Sequence, residues 1–438
     1  MPSDRRTVAF HLAWVTAAAV VLTLGRMHAH HQSDSLIPVF ASLYAWTPYY
    51  WEQNRFGMVV ALLATPFDHP LANLLVQNGV CLWAGLIAFP LAAAVLFRDR
   101  THVAVGPLTA AAWLVLCPPD TQFLYASTVS VIAVSLALGL AGLLAGRRGR
   151  WVTAAGCFAL AGWTNTAAGL MLAPVVLAAG RRRDVLAGIG LCGFATAFAL
   201  ALQRIAPDQT THLRPPPPDR WAGLLTGWWP EFIADTANLD HVLLACVGLV
   251  LAGRTYRRTG LVLCLGMAAY TAGMLLLFDG RIRYLGPGLV LVHLAGFGGF
   301  FTAVGGKLGR WAGLAAVVAA LWSGGVPGVG RVRADLRAKW GADADALHAA
   351  GATHLAGDYW RVWPVAFQAN LSAADRGDPP VWAVTFRSRP TAHLWQAIPD
   401  PRVAAFADDP AAADHLPRLG RPLAPAGRSG PFAFWTAQ

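Results

Sequence analysis

The sequence predicts an α-helical polytopic membrane protein of about eleven transmembrane helices, followed by a small extracytoplasmic α/β domain. Three observations carry this. The 438-residue chain is 56% hydrophobic and only 13% charged, whereas an ordinary soluble protein is about 25% charged. Its charges are uneven: residues 1–330 hold 35 of the 57 charged side chains, and residues 331–438 hold the other 22. Finally, apolar stretches of membrane-spanning length recur through the first part and are separated by basic clusters. This composition excludes an ordinary soluble enzyme and a disordered chain. The domains are read as 1–330, transmembrane, and 331–438, soluble.

The apolar stretches cover 8–25, 71–97, 101–118, 127–146, 151–180, 184–204, 239–253, 259–278, 285–304 and 311–327. Between them lie Arg5/Arg6, Arg98/Arg100, Arg147/Arg148/Arg150, Arg181–Arg183, Arg254/Arg257/Arg258 and Lys307/Arg310. The positive-inside rule puts each cluster in the cytoplasm. The stretch 151–180 has basic residues at both ends and Gly162-Trp163-Thr164-Asn165-Thr166 in its middle. A lipid-facing helix does not tolerate that polar centre, so two short helices are expected to meet there. Counting them separately places the N-terminus inside and residues 331–438 outside.

The acidic residues then acquire a side. Of the thirteen before residue 331, Asp4, Asp99 and Asp184 fall inside. The other ten, including Asp34, Glu52, Asp68, Asp120 and Asp279, fall outside or at the outer interface. The net charge of +11 is therefore mostly a sidedness, with the chemistry-bearing acids on the outer face. The six cysteines all lie in or beside apolar stretches and form no CxxC pair, which indicates neither a disulfide framework nor a zinc site.

The first outer segment, about residues 26–70, is long and aromatic. Tyr44, Trp46, Tyr49, Tyr50 and Trp51 suit a membrane interface, and Leu36–Tyr44 and Phe56–Ala64 suit amphipathic surface helices. Asp34 follows the first span directly. Beside an apolar rim it is a candidate general base; the alternative is that it N-caps a helix starting at Ser35. Asp68 and His69 precede Pro70, where Asp68 is a candidate cap. His28, His30 and His31 near Asp34 invite a metal reading, but their spacing matches no helical ligand pattern.

Three stretches carry a family resemblance. Tyr50-Trp51-Glu52-Gln53-Asn54-Arg55-Phe56-Gly57, Gly162-Trp163-Thr164-Asn165 and Arg281-Ile282-Arg283-Tyr284-Leu285-Gly286-Pro287 resemble runs in bacterial membrane glycosyltransferases of the GT-C superfamily. An acid after the first span, in a long outer loop, is similar to that family too. The resemblance implies transfer, with inversion, of a sugar from a polyprenyl-phosphate donor to a lipid-linked or surface-glycan acceptor in the bacterial inner membrane. Asp34 would be the base that takes the acceptor proton. The resemblance implies substrate-binding roles for Glu52, Gln53, Arg55, Asn165, Arg281, Arg283 and Tyr284. Asp68, His69 and Asp120 are further substrate-binding candidates by their place on the same outer face, with a loop-capping role as the alternative for Asp120. Arg281 and Arg283 would meet the leaving phosphate with paired hydrogen bonds; the alternative for both is snorkelling at the membrane boundary. Many members carry two adjacent acids where this chain has Ser33-Asp34-Ser35. The lone acid gives no support to a divalent metal, and no other cofactor or nucleic-acid partner is implied.

Residues 205–240 form a second outer segment, with a polyproline run at Pro215–Pro218 followed by Trp221, Trp228 and Trp229. In the C-terminal part, Arg333–Ala350, Trp360–Asn370 and Thr391–Ala397 read as helices. Thr353–Ala356, Val381–Phe386 and Arg402–Phe406 read as strands. Trp360 and Trp363 are either a glycan platform or packed core. Two other functions compete: a transporter or lipid flippase built on the broken pair around Asn165, and a non-catalytic GT-C-like scaffold.

Overall fold

The computed structural model describes residues 5–25, 28, 31–51, 53, 56–97, 102–117, 119–128, 131–178, 182–205, 226, 236–251, 253–277, 286–304 and 311–438. Its main helices are α1 (Arg5–Thr23), α2 (Ser33–Tyr44), α3 (Val59–Ala64), α4 (Pro70–Leu96), α5 (His102–Leu116), α6 (Pro119–Ala126), α7 (Ile132–Arg147), α8 (Trp151–Thr164), α9 (Ala168–Ala178), α10 (Arg182–Ile205), α11 (Thr236–Leu251), α12 (Gly253–Leu277), α13 (Gly286–Val304), α14 (Ala312–Gly324), α15 (Val329–Ala349) and α16 (Tyr359–Arg376). Each apolar stretch named above is helical over most of its length. Among the described residues, four helical stretches are long and apolar enough to cross a membrane: Arg5–Thr23, Pro70–Leu96, Arg183–Arg204 and Ala312–Ala349. The last is interrupted at Gly325, whose φ of 73° lies where glycine is favoured.

The chain forms two compact units. The first comprises residues 1–23, 54–57 and 79–327. Its helices approach closely through glycines, as expected where apolar packing cannot drive association in lipid. A Cβ on Gly162 would lie 2.4 Å from the Ala195 carbonyl oxygen, and one on Gly248 would lie 1.9 Å from that of Gly296. The expected pair of short helices is present as α8 and α9, which meet at Asn165.

The second unit comprises residues 24–53, 58–78 and 328–438. It joins two segments from the first 78 residues to the C-terminal segment. Strands β1 (His354–Ala356), β2 (Trp382–Val384), β3 (Arg402–Phe406), β4 (Leu423–Ser429) and β5 (Phe432–Ala437) form a sheet in the order β2-β1-β3-β5-β4. β1 pairs parallel with β2 and β3, and the β4–β5 hairpin adds antiparallel to β3. Strands β1–β3 fall where the apolar runs place them. The hairpin is an addition to the expected strands: β4, LAPAGRS, is mostly exposed and carries no apolar alternation, so the period-2 signal is absent. Ala356, Val384, Trp395, Val403 and Leu419 form a core against the sheet.

Helix α16 packs against α2, and its cap fixes where it starts. The Asp358 side chain accepts the Trp360 N–H at 2.9 Å, an N-cap bond. The Asp409 carboxylate accepts the Asp358 N–H at 2.5 Å. Gly377, at φ 74°, ends the helix in the left-handed conformation usual at C′.

The segment 26–70, expected as an interfacial loop, is more deeply buried than such a loop would be. Helix α2 is buried along Ser35–Ser42 and so is not a surface-lying amphipathic helix. Tyr49, Tyr50 and Trp51 are also buried. The physical reason is a partner that the local sequence does not contain: Phe40 and Trp51 pack on Trp363 with ring centroids 4.9 and 5.7 Å away. Buried amides complete the joint. Asn73 Nδ2 donates to Ser42 Oγ at 2.8 Å and to the Ala64 carbonyl at 2.9 Å, and Gln77 Nε2 donates to the Pro38 carbonyl at 3.0 Å. Polar groups in an apolar helix need such partners.

Candidate active site

Asp34 stands in the first turn of α2, where the helix dipole favours a carboxylate. It is not the cap. The helix begins at Ser33, the N-cap is Gln32, and the Ser35 hydroxyl accepts the Gln32 N–H at 3.0 Å. The Asp34 side chain is therefore free to point elsewhere, and it points at two tyrosines. Tyr359 Oη donates to Asp34 Oδ1 in a very short hydrogen bond. Tyr50 Oη lies 3.2 Å from the same Oδ1 and 3.0 Å from Tyr359 Oη.

Tyr50 has a second function in holding the helix. Pro38 lacks the N–H that would bond the carbonyl four residues earlier, which is that of Asp34. Tyr50 Oη sits 3.2 Å from that carbonyl oxygen and supplies the missing donor. One hydroxyl thus serves both the backbone and the side chain of Asp34.

Arg387 borders the cluster. Its guanidinium carbon lies 5.2 Å from the Tyr50 ring centroid, 5.1 Å from that of Tyr359 and 5.3 Å from that of Phe386, within cation–π range. Its Nη1 reaches the Trp51 carbonyl at 3.5 Å, and its Nε is buried without a hydrogen-bond partner among the described residues. Burial, chiefly, and then the Asp34 charge push the Tyr359 hydroxyl above the usual range, while the Arg387 charge opposes this. Tyr50 is pushed up by burial first, then by Tyr359 and Asp34, again against Arg387. Both hydroxyls therefore keep their protons, and remain donors, well past neutral pH.

The other expected site residues are placed as follows. Gln53 is buried, and its N–H bonds the Tyr50 carbonyl at 2.8 Å. Asn165 is buried; its Oδ1 accepts the Ala167 N–H at 2.9 Å, and it pairs with Phe56 as an isolated bridge. The Gly57 N–H bonds the Thr164 carbonyl at 3.0 Å. Phe56 and Gly57, the end of one stretch that carries the family resemblance, thus meet Thr164 and Asn165 of another within the first unit. Asp68 is exposed, and the start of α4 is capped by His69 instead: its Nδ1 accepts the Leu71 N–H at 3.1 Å. His69 Nε2 lies 3.1 Å from Asp375 Oδ1, a carboxylate that also takes a two-point contact from Arg333. Glu52, Arg55, Arg281, Arg283 and Tyr284 lie outside the described residues. For Asp120 only its backbone place in α6 is described.

Among the described residues, no group of three His, Cys, Asp or Glu is arranged to hold a metal ion. Both ring nitrogens of His31 are occupied. Nδ1 is 3.0 Å from Ser35 Oγ, and Nε2 is 3.2 Å from His28 Nδ1 and 3.0 Å from Asn78 Nδ2. His30 lies outside the described residues. Trp363 is core, with its Nε1 donating to Thr385 Oγ1 at 3.1 Å, whereas Trp360 is half exposed.

Sequence reasoning missed Tyr359 and Arg387 as members of the Asp34 cluster and took Tyr50 for an anchor. Two signals were available: Pro38, four residues after Asp34, requires a donor from elsewhere, and Tyr359 lies in the distinctive aromatic run Gly357-Asp358-Tyr359-Trp360-Arg361-Val362-Trp363-Pro364.

No protein-family model matches the chain, and no curated protein is similar to it in sequence. Among solved structures the chain is similar to ArnT from Cupriavidus metallidurans bound to undecaprenyl phosphate, with 12% identity and a TM-score of 0.46 over 99% of this chain and 98% of that one. It is also similar to ArnT from the same organism in the apo state, with 13% identity and a TM-score of 0.47 over 100% of this chain and 98% of that one.

Proposed function

We propose that the protein is a membrane glycosyltransferase of GT-C type that takes a sugar from a polyprenyl-phosphate donor, with Asp34 as the general base. The observation that carries this reading is the Asp34 carboxylate itself. It follows the first apolar helix, stands at a helix N-terminus and is partly buried, and two tyrosine hydroxyls converge on it. That constellation suits a base that must be held in one orientation. The three motif stretches supply the substrate class.

In the proposed step, the acceptor hydroxyl gives its proton to Asp34 as its oxygen bonds the anomeric carbon. The bond from that carbon to the phosphate oxygen breaks, and its electron pair leaves with the polyprenyl phosphate. Attack opposite the leaving group inverts the centre. Arg281 and Arg283 are assigned to the leaving phosphate on the motif alone. The broken pair α8–α9, the feature a transporter would use, has its Thr164 carbonyl bonded to Gly57 and its Asn165 side chain bonded to Ala167.

The test is covalent product. Purified protein in proteoliposomes, given a polyprenyl-phosphate sugar and a membrane lipid or glycan acceptor extract, is expected to release free polyprenyl phosphate and a glycosylated acceptor, both read by mass spectrometry. Counterflow of a labelled solute with no such product overturns the reading in favour of a transporter.

A further inference from the structure

We propose that Tyr359, in the C-terminal segment, is a positioning residue for the reaction and acts through Asp34. This rests on the reading of Asp34 as the base. Tyr359 is buried and fixed from several sides. It is the first residue of α16, behind the Asp358 cap. Its carbonyl accepts the Ser33 hydroxyl at 2.8 Å, one residue from Asp34 itself. Its ring is held between Trp360, at 4.9 Å, and Phe386, at 5.1 Å. A hydroxyl held this firmly sets the rotation of the carboxylate it bonds.

The bond is selective. Among the described residues, the side-chain hydrogen bonds to the Asp34 carboxylate all go to Oδ1. Oδ2 is then the oxygen presented to an acceptor hydroxyl. Tyr50 cannot do this alone, because its one proton is shared with the backbone carbonyl that Pro38 leaves open. The C-terminal segment thereby contributes to orienting the base while touching no reacting atom.

The experiment uses the full-length chain. Tyr359→Phe keeps the ring and removes only the hydroxyl. Hydrogen bonds to charged groups contribute enough that kcat is expected to fall roughly ten- to a hundredfold. KM for a polyprenyl-phosphate sugar should stay within about twofold, because no substrate contact is removed. Arg428→Gln, at an exposed position of β4 away from the Asp34 cluster, is expected to keep the wild-type kcat. Asp34→Asn is measured beside them. If Asp34→Asn is inactive while Tyr359→Phe turns over like wild type, the positioning role is overturned and the base stands. A Tyr359→Phe loss that appears as a raised KM, or only alongside a lowered Tm, also overturns it. If Asp34→Asn retains full transfer, the base reading fails and takes this inference with it.

Discussion

Pro38 shows how one residue shapes the candidate centre. In α2 it withholds an N–H from the Asp34 carbonyl, and Tyr50 Oη fills the gap at 3.2 Å. The same hydroxyl is thereby brought to the Asp34 carboxylate. The motif around Tyr50 was visible in the sequence, but its target was not, since nothing local says where a ring sixteen positions away will point. Gly57 is a second such residue. A Cβ there would meet the Trp163 carbonyl oxygen at 2.3 Å and its carbonyl carbon at 2.8 Å, backbone atoms that cannot swing aside as a side chain could. Gly57→Ala is expected to destabilise the junction with the 162–165 turn by about 1–3 kcal/mol, as overpacking does. A thermal-unfolding series in detergent checks this; an unchanged Tm would mean that the turn moves freely.

At the scale of elements, helices were more legible than strands. The apolar stretches located the long helices, and the polar centre of 151–180 located the break between α8 and α9. β4 carries Pro425 and Gly427 at a register shift, and its pattern hides it. The turn of the hairpin depends on Gly430 at φ 57°, a cue that reads as a turn but does not announce two strands. Within the sheet, His354 on β1 makes a testable element-level prediction. It is fully buried, with Nε2 3.0 Å from the Trp395 carbonyl and Nδ1 2.7 Å from Thr353 Oγ1. Burial, outweighing the Trp395 bond, lowers its pKa to about 4. A histidine whose folded pKa lies below its unfolded value contributes stability above about pH 6.5. That contribution is lost as pH falls through about 4. The shift corresponds to roughly 3 kcal/mol at most. Tryptophan fluorescence during chemical unfolding at pH 7, 6, 5 and 4 should follow this decline, and His354→Gln should flatten it.

The whole molecule is organised by contacts that no local reading could supply. Asp34 and Tyr359 are 325 positions apart, and Phe40 and Trp51 find Trp363 across a similar span. The sidedness of the charges suggested that the acids and the C-terminal segment share one compartment. The second unit, built from 24–53, 58–78 and 328–438, is what such sharing permits. All six cysteines precede residue 265, so a cysteine at exposed Arg428 can report on the compartment of the C-terminal segment. In a chain with the native cysteines replaced, Arg428→Cys is expected to react with a membrane-impermeant maleimide in intact spheroplasts; labelling only after lysis would reverse the proposed orientation. The central claim, that Asp34 performs the chemistry, is tested most directly by single-turnover transfer from a polyprenyl-phosphate sugar with purified wild type and Asp34→Asn. Loss of a general base predicts a fall of roughly a hundred- to ten-thousandfold with unchanged donor binding, whereas an Asp34→Asn protein that transfers sugar at the wild-type rate would contradict the account.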